Sequence, residues 1–278
     1  MTQPQKMTML VIGGGKMGGA IIQGWLKTGL DASHIYLVDM NESVLSQFKQ
    51  LGINTYKPDE IEQLRAVNFS DVLLALKPQM IGAFAPDYRQ LVGSDTCLMS
   101  IAAGVSIEQL RSVFTSAASI VRIMPNTPVL VGKGVVVAYT DAGLEIRDKT
   151  AALFEPLGNF YWLDHEDQMH AATAVSGSGP AYIFYFCECF MDTATKMGLP
   201  EDLAQQIAKD TFIGAAEMIE QQESSVSELR QNVTSPNGTT QAGLERLAHG
   251  GLITEQIKAC CEAACQRSIE ISMELSSQ

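Results

Sequence analysis

At 278 residues and 46% hydrophobic content, the chain is long enough for about two domains and apolar enough to fill a core in each. Lys and Arg total 19 against 31 Asp and Glu; the net charge of −12 argues against a nucleic-acid partner or an anionic membrane surface and favours small-molecule chemistry. No apolar run nears the roughly 18 residues of a membrane span, and MTQPQKMTML lacks the cationic start and long apolar core of an export signal, so a cytoplasmic chain with its six cysteines as reduced core thiols is expected.

From Met7 to about Leu163 short apolar runs alternate with helix-like segments. MLVIGG (9–14), IYLVDM (35–40), DVLLAL (71–76), CLMSIAA (97–103), SIVRIM (119–124) and GVVVAY (134–139) read as strands. Between them AIIQGWLKTGL, ESVLSQFKQLG, IGAFAPDYRQLVG and SIEQLRSVF read as helices. Continuous apolar strands separated by helices predict a parallel sheet covered on both faces.

The first strand runs into Gly13-Gly14-Gly15-Lys16-Met17-Gly18, a GxGxxG loop between strand and helix. Gly13 suits the tight turn, Gly15 lets a pyrophosphate approach the backbone, and Gly18 packs helix on strand. The helix start, Lys16 and Met17 included, offers amide donors to the anion. About 20 residues further on, Asp39 ends the next strand, where a carboxylate accepts from adenosine ribose hydroxyls. Such a carboxylate repels a 2′-phosphate and no arginine follows in MNES, so the residues favour NAD over NADP.

LALKPQ (74–79) then places Ala75, Lys77 and Pro78 at a carboxyl end of the sheet, where such folds bind ligands, although Lys77 also reads as a solvated charge. MPNTPVLVG (124–132) puts Asn126 and Thr127 between two prolines, more rigid polar chemistry than a plain connection needs, and is read as lining the nicotinamide pocket.

Beyond Leu163 helical spacing takes over. AVSGSGPAYIF (174–184) is a second glycine-serine loop opening a helix; its plainer reading is an interhelical turn needing glycine for positive φ. AYIFYFCECFMDTATKMGL (181–199), LAQQIAKDTFIGAAEMI (203–219) and ITEQIKACCEAACQRSIEIS (253–272) demand burial on more than one side, which predicts a helical domain that oligomerises. Near the end, Ser235-Pro236-Asn237-Gly238 forms a turn and Thr239-Thr240 start a helix with no ionisable residue beside them. Helix capping is the modest reading of these threonines.

GGGKMGGAI, LALKPQ, IMPNTPVLVG, TAVSGSGPAY and VTSPNGTTQAGLERL resemble, in order and spacing, the motifs of pyrroline-5-carboxylate reductases, and the resemblance spans the chain from Met7. It implies an α/β Rossmann-type dinucleotide-binding domain (residues 1–163) followed by an all-α dimerisation and substrate domain (164–278), assembled as dimers or larger rings of dimers. It implies hydride transfer from NADPH or NADH to 1-pyrroline-5-carboxylate, giving L-proline. The family's substrate loop matches Ser235, Asn237, Gly238, Thr239 and Thr240, with Thr240 beside the ring nitrogen. Its nicotinamide side matches Ala75, Lys77, Pro78, Asn126, Thr127 and the loop Ser176, Gly177, Ser178 and Gly179. Two positions depart from the pattern: Asn237 stands where glycine is commoner, and Asp39-Met40-Asn41 replaces the serine or arginine that receives the extra phosphate of NADP.

Two rival readings differ by residues. A β-hydroxyacid dehydrogenase places a catalytic lysine four residues after the second glycine loop, where this chain has Ile183. A dinucleotide sensor without turnover needs only the amino-terminal half and has no use for the Thr239-Thr240 turn.

Overall fold

The computed structural model describes residues 7–276, with the side chains at 82–86 and 276 outside the description; residues 1–6, which carry the export-signal reading, lie outside it too. Eight strands form one sheet: β1 (Met9–Ile12), β2 (Ile35–Val38), β3 (Asn54–Tyr56), β4 (Asp71–Leu74), β5 (Cys97–Ser100), β6 (Ser119–Pro125), β7 (Gly134–Tyr139) and β8 (Gly158–Trp162). Their order is β3-β2-β1-β4-β5-β6-β7-β8. The chain thus runs outward from β1 to one edge, returns, and fills the other side from β4. Helices α1 (Lys16–Lys27), α2 (Glu42–Gln50), α3 (Pro78–Tyr88), α4 (Ile107–Val113) and α5 (Leu144–Phe154) connect the strands.

The pleat explains why β1 reads as continuously apolar. Met9 and Val11 point into a core with Ile21, Ile22 and Trp25 of α1, Phe48 of α2 and Phe154 of α5. Leu10 and Ile12 point to the other face, with Ile81 and Tyr88 of α3 and Ile107 and Leu110 of α4. Alternate residues serve opposite cores, so no position along the strand is left for a polar side chain. Each such side chain contributes about 1.5–3 kcal/mol by leaving water. The indole of Trp25 keeps its polar group satisfied by donating to the Leu153 carbonyl at 2.8 Å.

The sheet departs from the expected parallel arrangement at one pair: β6 and β7 are antiparallel, while β7 and β8 are parallel again. The chain between β6 and β7 holds only a 3-10 turn at Thr127–Val131, too short for the dozen or more residues of a parallel crossover. The run read as strand over 97–103 also stops earlier, at Ser100.

Beyond β8 lie α6 (Gln168–Ala172), a π-helical turn (Thr173–Gly177), α7 (Gly179–Lys196), α8 (Glu201–Gln221), α9 (Val226–Asn232), α10 (Thr239–Leu247) and α11 (Leu252–Ser276). The boundary expected at 163/164 falls at the end of β8. Compactness groups the chain up to Ser178 with Ala264–Gln278 as one unit, and Gly179–Ala263 as the other. Within the first unit the last turns of α11 pack on the sheet connections: the Ile271 side chain lies against Gly104, and Gln109 Nε2 donates to the Ser272 carbonyl at 3.4 Å.

The second unit has little core of its own. No residue of α7 is buried, and α8 buries only Ala204 and Ala208. Phe190 and Phe212 meet edge to face at 5.3 Å, yet Phe184 is 61% exposed and Ile213 63%. Helices with this much uncovered apolar surface are one side of a protein interface. The expected core thiols are corrected here: the six cysteines are free, but only Cys97 is buried, and the five on α7 and α11 are half-buried or exposed. No described helix is long and apolar enough to cross a membrane.

Candidate functional site

The carboxyl ends of β1, β2, β4, β5 and β6 lie at the same end of the sheet, and the order reverses between β1 and β4. That switch point is where open α/β sheets bind ligands. Gly13 sits there with φ 102°, and a β-carbon on it would meet the Ala75 carbonyl at 2.6 Å. Gly18 is shut in more tightly, between the Gly13 carbonyl and the Ala75 side chain. Around Gly15, by contrast, the space is open. The three glycines thus do three jobs: turn, approach and packing, with Ala75 as the floor on which the loop rests.

Helix α1 starts at Lys16 with Gly15 as its cap, and no side chain covers the first-turn amides. Those donors and the helix dipole fit a pyrophosphate. Asp39 at the end of β2 is half-buried, and its two oxygens accept from the Gly14 and Asn41 amides, each at 2.7 Å. Each oxygen retains acceptor capacity, so the carboxylate ties the glycine loop to β2 and can still accept from a ligand hydroxyl.

At the neighbouring strand the Ala75 amide donates to the Ile12 carbonyl at 2.8 Å, which locks the floor to β1. Lys77 is exposed, and Pro78 opens α3, where a missing amide hydrogen costs nothing. Asn126 is buried; its side chain accepts from the Val135 amide at 2.8 Å and donates to the Ser176 carbonyl at 3.0 Å. Its amide joins the start of β7 to the second glycine-serine loop and so helps hold that loop in place. Thr127 beside it is exposed.

The second loop is the π-helical turn, closed by the Ser178 amide on the Thr173 carbonyl at 2.9 Å and the Ser176 hydroxyl on the Ala172 carbonyl at 2.8 Å. The alternative of a turn demanding positive φ does not hold, since neither Gly177 nor Gly179 adopts it. Gly177 lies against the Met124 side chain: a β-carbon there would meet its terminal methyl at 2.6 Å, a contact that flexible side chain can yield to. Single π turns inside helices recur at functional sites. Ile183, at the position of the lysine that a β-hydroxyacid dehydrogenase would need, is exposed and apolar.

In the second unit, α10 begins at Thr239 with Gly238 as its cap and no side-chain cap bond. The threonines are therefore not capping residues. They occupy the first two helical positions, are exposed, and their hydroxyls have no hydrogen-bond partner among the described residues. Asn237 takes φ 59°, the only non-glycine residue at positive φ among those described, as asparagine tolerates. Its amide donates to Gln241 Oε1 at 2.8 Å, and the Gly238 amide to the Ser235 carbonyl at 3.1 Å.

Two features escaped the sequence reading. Gln241 carried no reading of its own in the sequence, and only the fold shows it reaching back four positions. Arg122, inside the SIVRIM run, is buried and paired with Glu166 at 2.7 Å, and Glu166 also accepts from the Ile107 amide at 2.8 Å. An arginine in an apolar strand was the available signal. Nearby, His170 Nδ1 meets the Ser268 hydroxyl at 2.9 Å, and burial, reinforced by Arg122, lowers the imidazole below its ordinary value.

Comparison with known proteins gives two family matches, "Pyrroline-5-carboxylate reductase dimerisation" over residues 166–271 and "NADP oxidoreductase coenzyme F420-dependent" over 8–104. A pyrroline-5-carboxylate reductase of Pasteurella multocida is 38% identical over 269 residues, covering 94% of this chain and 98% of its own. The solved structure of the Coxiella burnetii pyrroline-5-carboxylate reductase superposes with a TM-score of 0.87 at 32% identity, covering 96% of this chain and 99% of its own. A Plasmodium falciparum pyrroline carboxylate reductase with NADP bound gives 0.81 at 27% identity, covering 96% and 98%.

Proposed function

The chain belongs to the pyrroline-5-carboxylate reductase family, and we propose that its activity rests on a neutral substrate loop without an ionisable residue in the lead. It is an NAD(P)H-dependent oxidoreductase acting on the imine bond of 1-pyrroline-5-carboxylate, and it associates with copies of itself. The dimerisation and substrate role falls to residues 164–278 and dinucleotide binding to 1–163. A cytoplasmic location accords with this chemistry.

The observation that carries the proposal is the pair of unbonded hydroxyls at Thr239 and Thr240 on the first turn of α10, capped by glycine. The substrate carboxylate is an anion, and the free amides of that turn, with Ser235, Asn237 and Gly238 shaping it, form its receptor. When bound, the reduced nicotinamide supplies the hydride taken up by the imine carbon. Gly13, Gly15, Lys16, Met17, Gly18 and Asp39 hold the dinucleotide. Ala75, Lys77, Pro78, Asn126, Thr127 and the Ser176–Gly179 turn shape its nicotinamide end. The Thr240 hydroxyl accepts from the protonated imine and donates to the product amine, because a hydroxyl does both.

Magnitudes favour this economy. Positioning supplies about 7–11 kcal/mol, against about 3–5 kcal/mol for the 10² to 10⁴ of one general acid. A protonated imine is already a strong hydride acceptor, so holding it in register is the larger share of the work. Thr240→Val is expected to cut kcat/KM for pyrroline-5-carboxylate at least ten-fold, about 1.4 kcal/mol. Unchanged kcat/KM in that variant would remove the role assigned to Thr240.

A further inference from the structure

Two residues of the substrate loop stand out by geometry. Asn237 holds a left-handed backbone that glycine adopts without strain and asparagine adopts at a cost. Four residues later, Gln241 accepts the Asn237 amide hydrogen at 2.8 Å, while its own Nε2 donates to Glu245 Oε1, again at 2.8 Å. The second bond orients the first. An amide group can be turned end for end, and Glu245 accepts only from the nitrogen, which leaves the oxygen facing Asn237.

We propose that Gln241 is a positioning residue: it clips the Asn237 turn so that the first-turn amides of α10 stay aimed at the substrate carboxylate. The proposal rests on reading residues 235–240 as the carboxylate-binding loop. With the Asn237 amide taken by Gln241 and the Gly238 amide by Ser235, both turn donors are consumed internally. The backbone amides of Thr239, Thr240 and Gln241, which no helical carbonyl can reach, are the donors left for an anion. Gln241 touches no reacting atom. It fixes the direction in which those donors point, and it offsets the strain that asparagine brings to a position suited to glycine.

The test uses the full-length enzyme and reads binding apart from chemistry. Gln241→Leu keeps an aliphatic side chain of similar bulk but removes the acceptor. It is expected to raise KM for pyrroline-5-carboxylate about five-fold, about 1 kcal/mol at 1.4 kcal/mol per ten-fold. Turnover at saturation and KM for the nicotinamide cofactor should stay within two-fold. The calorimetric Kd for L-proline should rise by the same factor as the imino-acid KM. Adding Asn237→Gly to Gln241→Leu should lower both again relative to Gln241→Leu alone, because glycine holds the left-handed turn without a clip. Glu245→Ala, which lets the Gln241 amide rotate, should weaken binding in the same direction by a smaller factor, and it serves if the leucine variant misfolds. An unchanged imino-acid KM, a fall in turnover with KM unchanged, or no rescue by Asn237→Gly would each overturn the proposal. Wild-type enzyme that fails to reduce pyrroline-5-carboxylate at all would instead overturn the reading beneath it.

Discussion

Gly18 shows how much a single hydrogen atom in place of a methyl can decide. A β-carbon there collides with the Gly13 carbonyl and comes within 3.0 Å of the Ala75 side chain, so Gly18→Ala must lift α1 off the strand or bend the loop. Overpacking of this kind costs about 1–3 kcal/mol, and its effect falls on the first-turn amides of α1, to which the proposed function assigns the pyrophosphate. NAD(P)H affinity in Gly18→Ala, measured by fluorescence titration, is expected to drop at least ten-fold; retained affinity would show that the loop yields elsewhere. Asp39 acts by charge. Its carboxylate is held by two backbone amides, and its negative charge opposes a 2′-phosphate. The expected outcome is a higher kcat/KM with NADH than with NADPH, narrowed or reversed by Asp39→Ser. A wild-type preference for NADPH would refute this electrostatic reading.

Among elements, the strands differ in how legible they are, and burial decides which. β1, β4 and β5 are buried at every position and stand out as unbroken apolar runs. β3, three residues of Asn-Thr-Tyr, and β8, whose burial alternates, lie at the two edges of the sheet and carry no such run, so neither was found. The conformation of the glycine loop after β1 was legible because glycine spacing is forced by backbone contacts that the sequence records directly. The clips formed by Gln241, Glu166 and Ser268 were not, because hydrogen bonds to loop amides and across 44 or 98 residues leave no local pattern. The Arg122–Glu166 pair joins β6 to the segment before α6, and Glu166→Ala strands a buried guanidinium while removing the acceptor of the Ile107 amide. Denaturant melts should show a loss of about 3 kcal/mol. His170 adds a pH dependence whose sign is set by its lowered proton affinity in the fold. The unfolded chain takes the proton first, so stability is intact above the ordinary value of 6.5 and declines as pH falls from there towards the folded value. His170→Gln should flatten that decline, and an identical slope in the variant would show that other groups cause it.

At the scale of the whole molecule, the helical unit is incomplete alone. Apolar side chains such as Phe184, Tyr185, Phe190 and Ile213 are more than half exposed on helices that bury almost nothing. These helices lie within the match to the family's dimerisation model, so self-association is expected to cover this surface. Phe184→Glu combined with Ile213→Glu is expected to shift the mass measured by light scattering towards the single chain, with a melting temperature that falls on dilution; an unchanged assembly would place the interface elsewhere. Because α11 starts in one compact unit and finishes in the other, the polypeptide crosses between them a second time at 263/264. A gene split after Ser178 would therefore yield an amino-terminal fragment whose Gly104, Gln109 and His170 lack Ile271, Ser272 and Ser268. A premature stop before codon 264 would strip contacts from the amino-terminal unit at residues as distant in sequence as His170, so the last fifteen codons matter to the packing of that unit as well as to the helix that carries them.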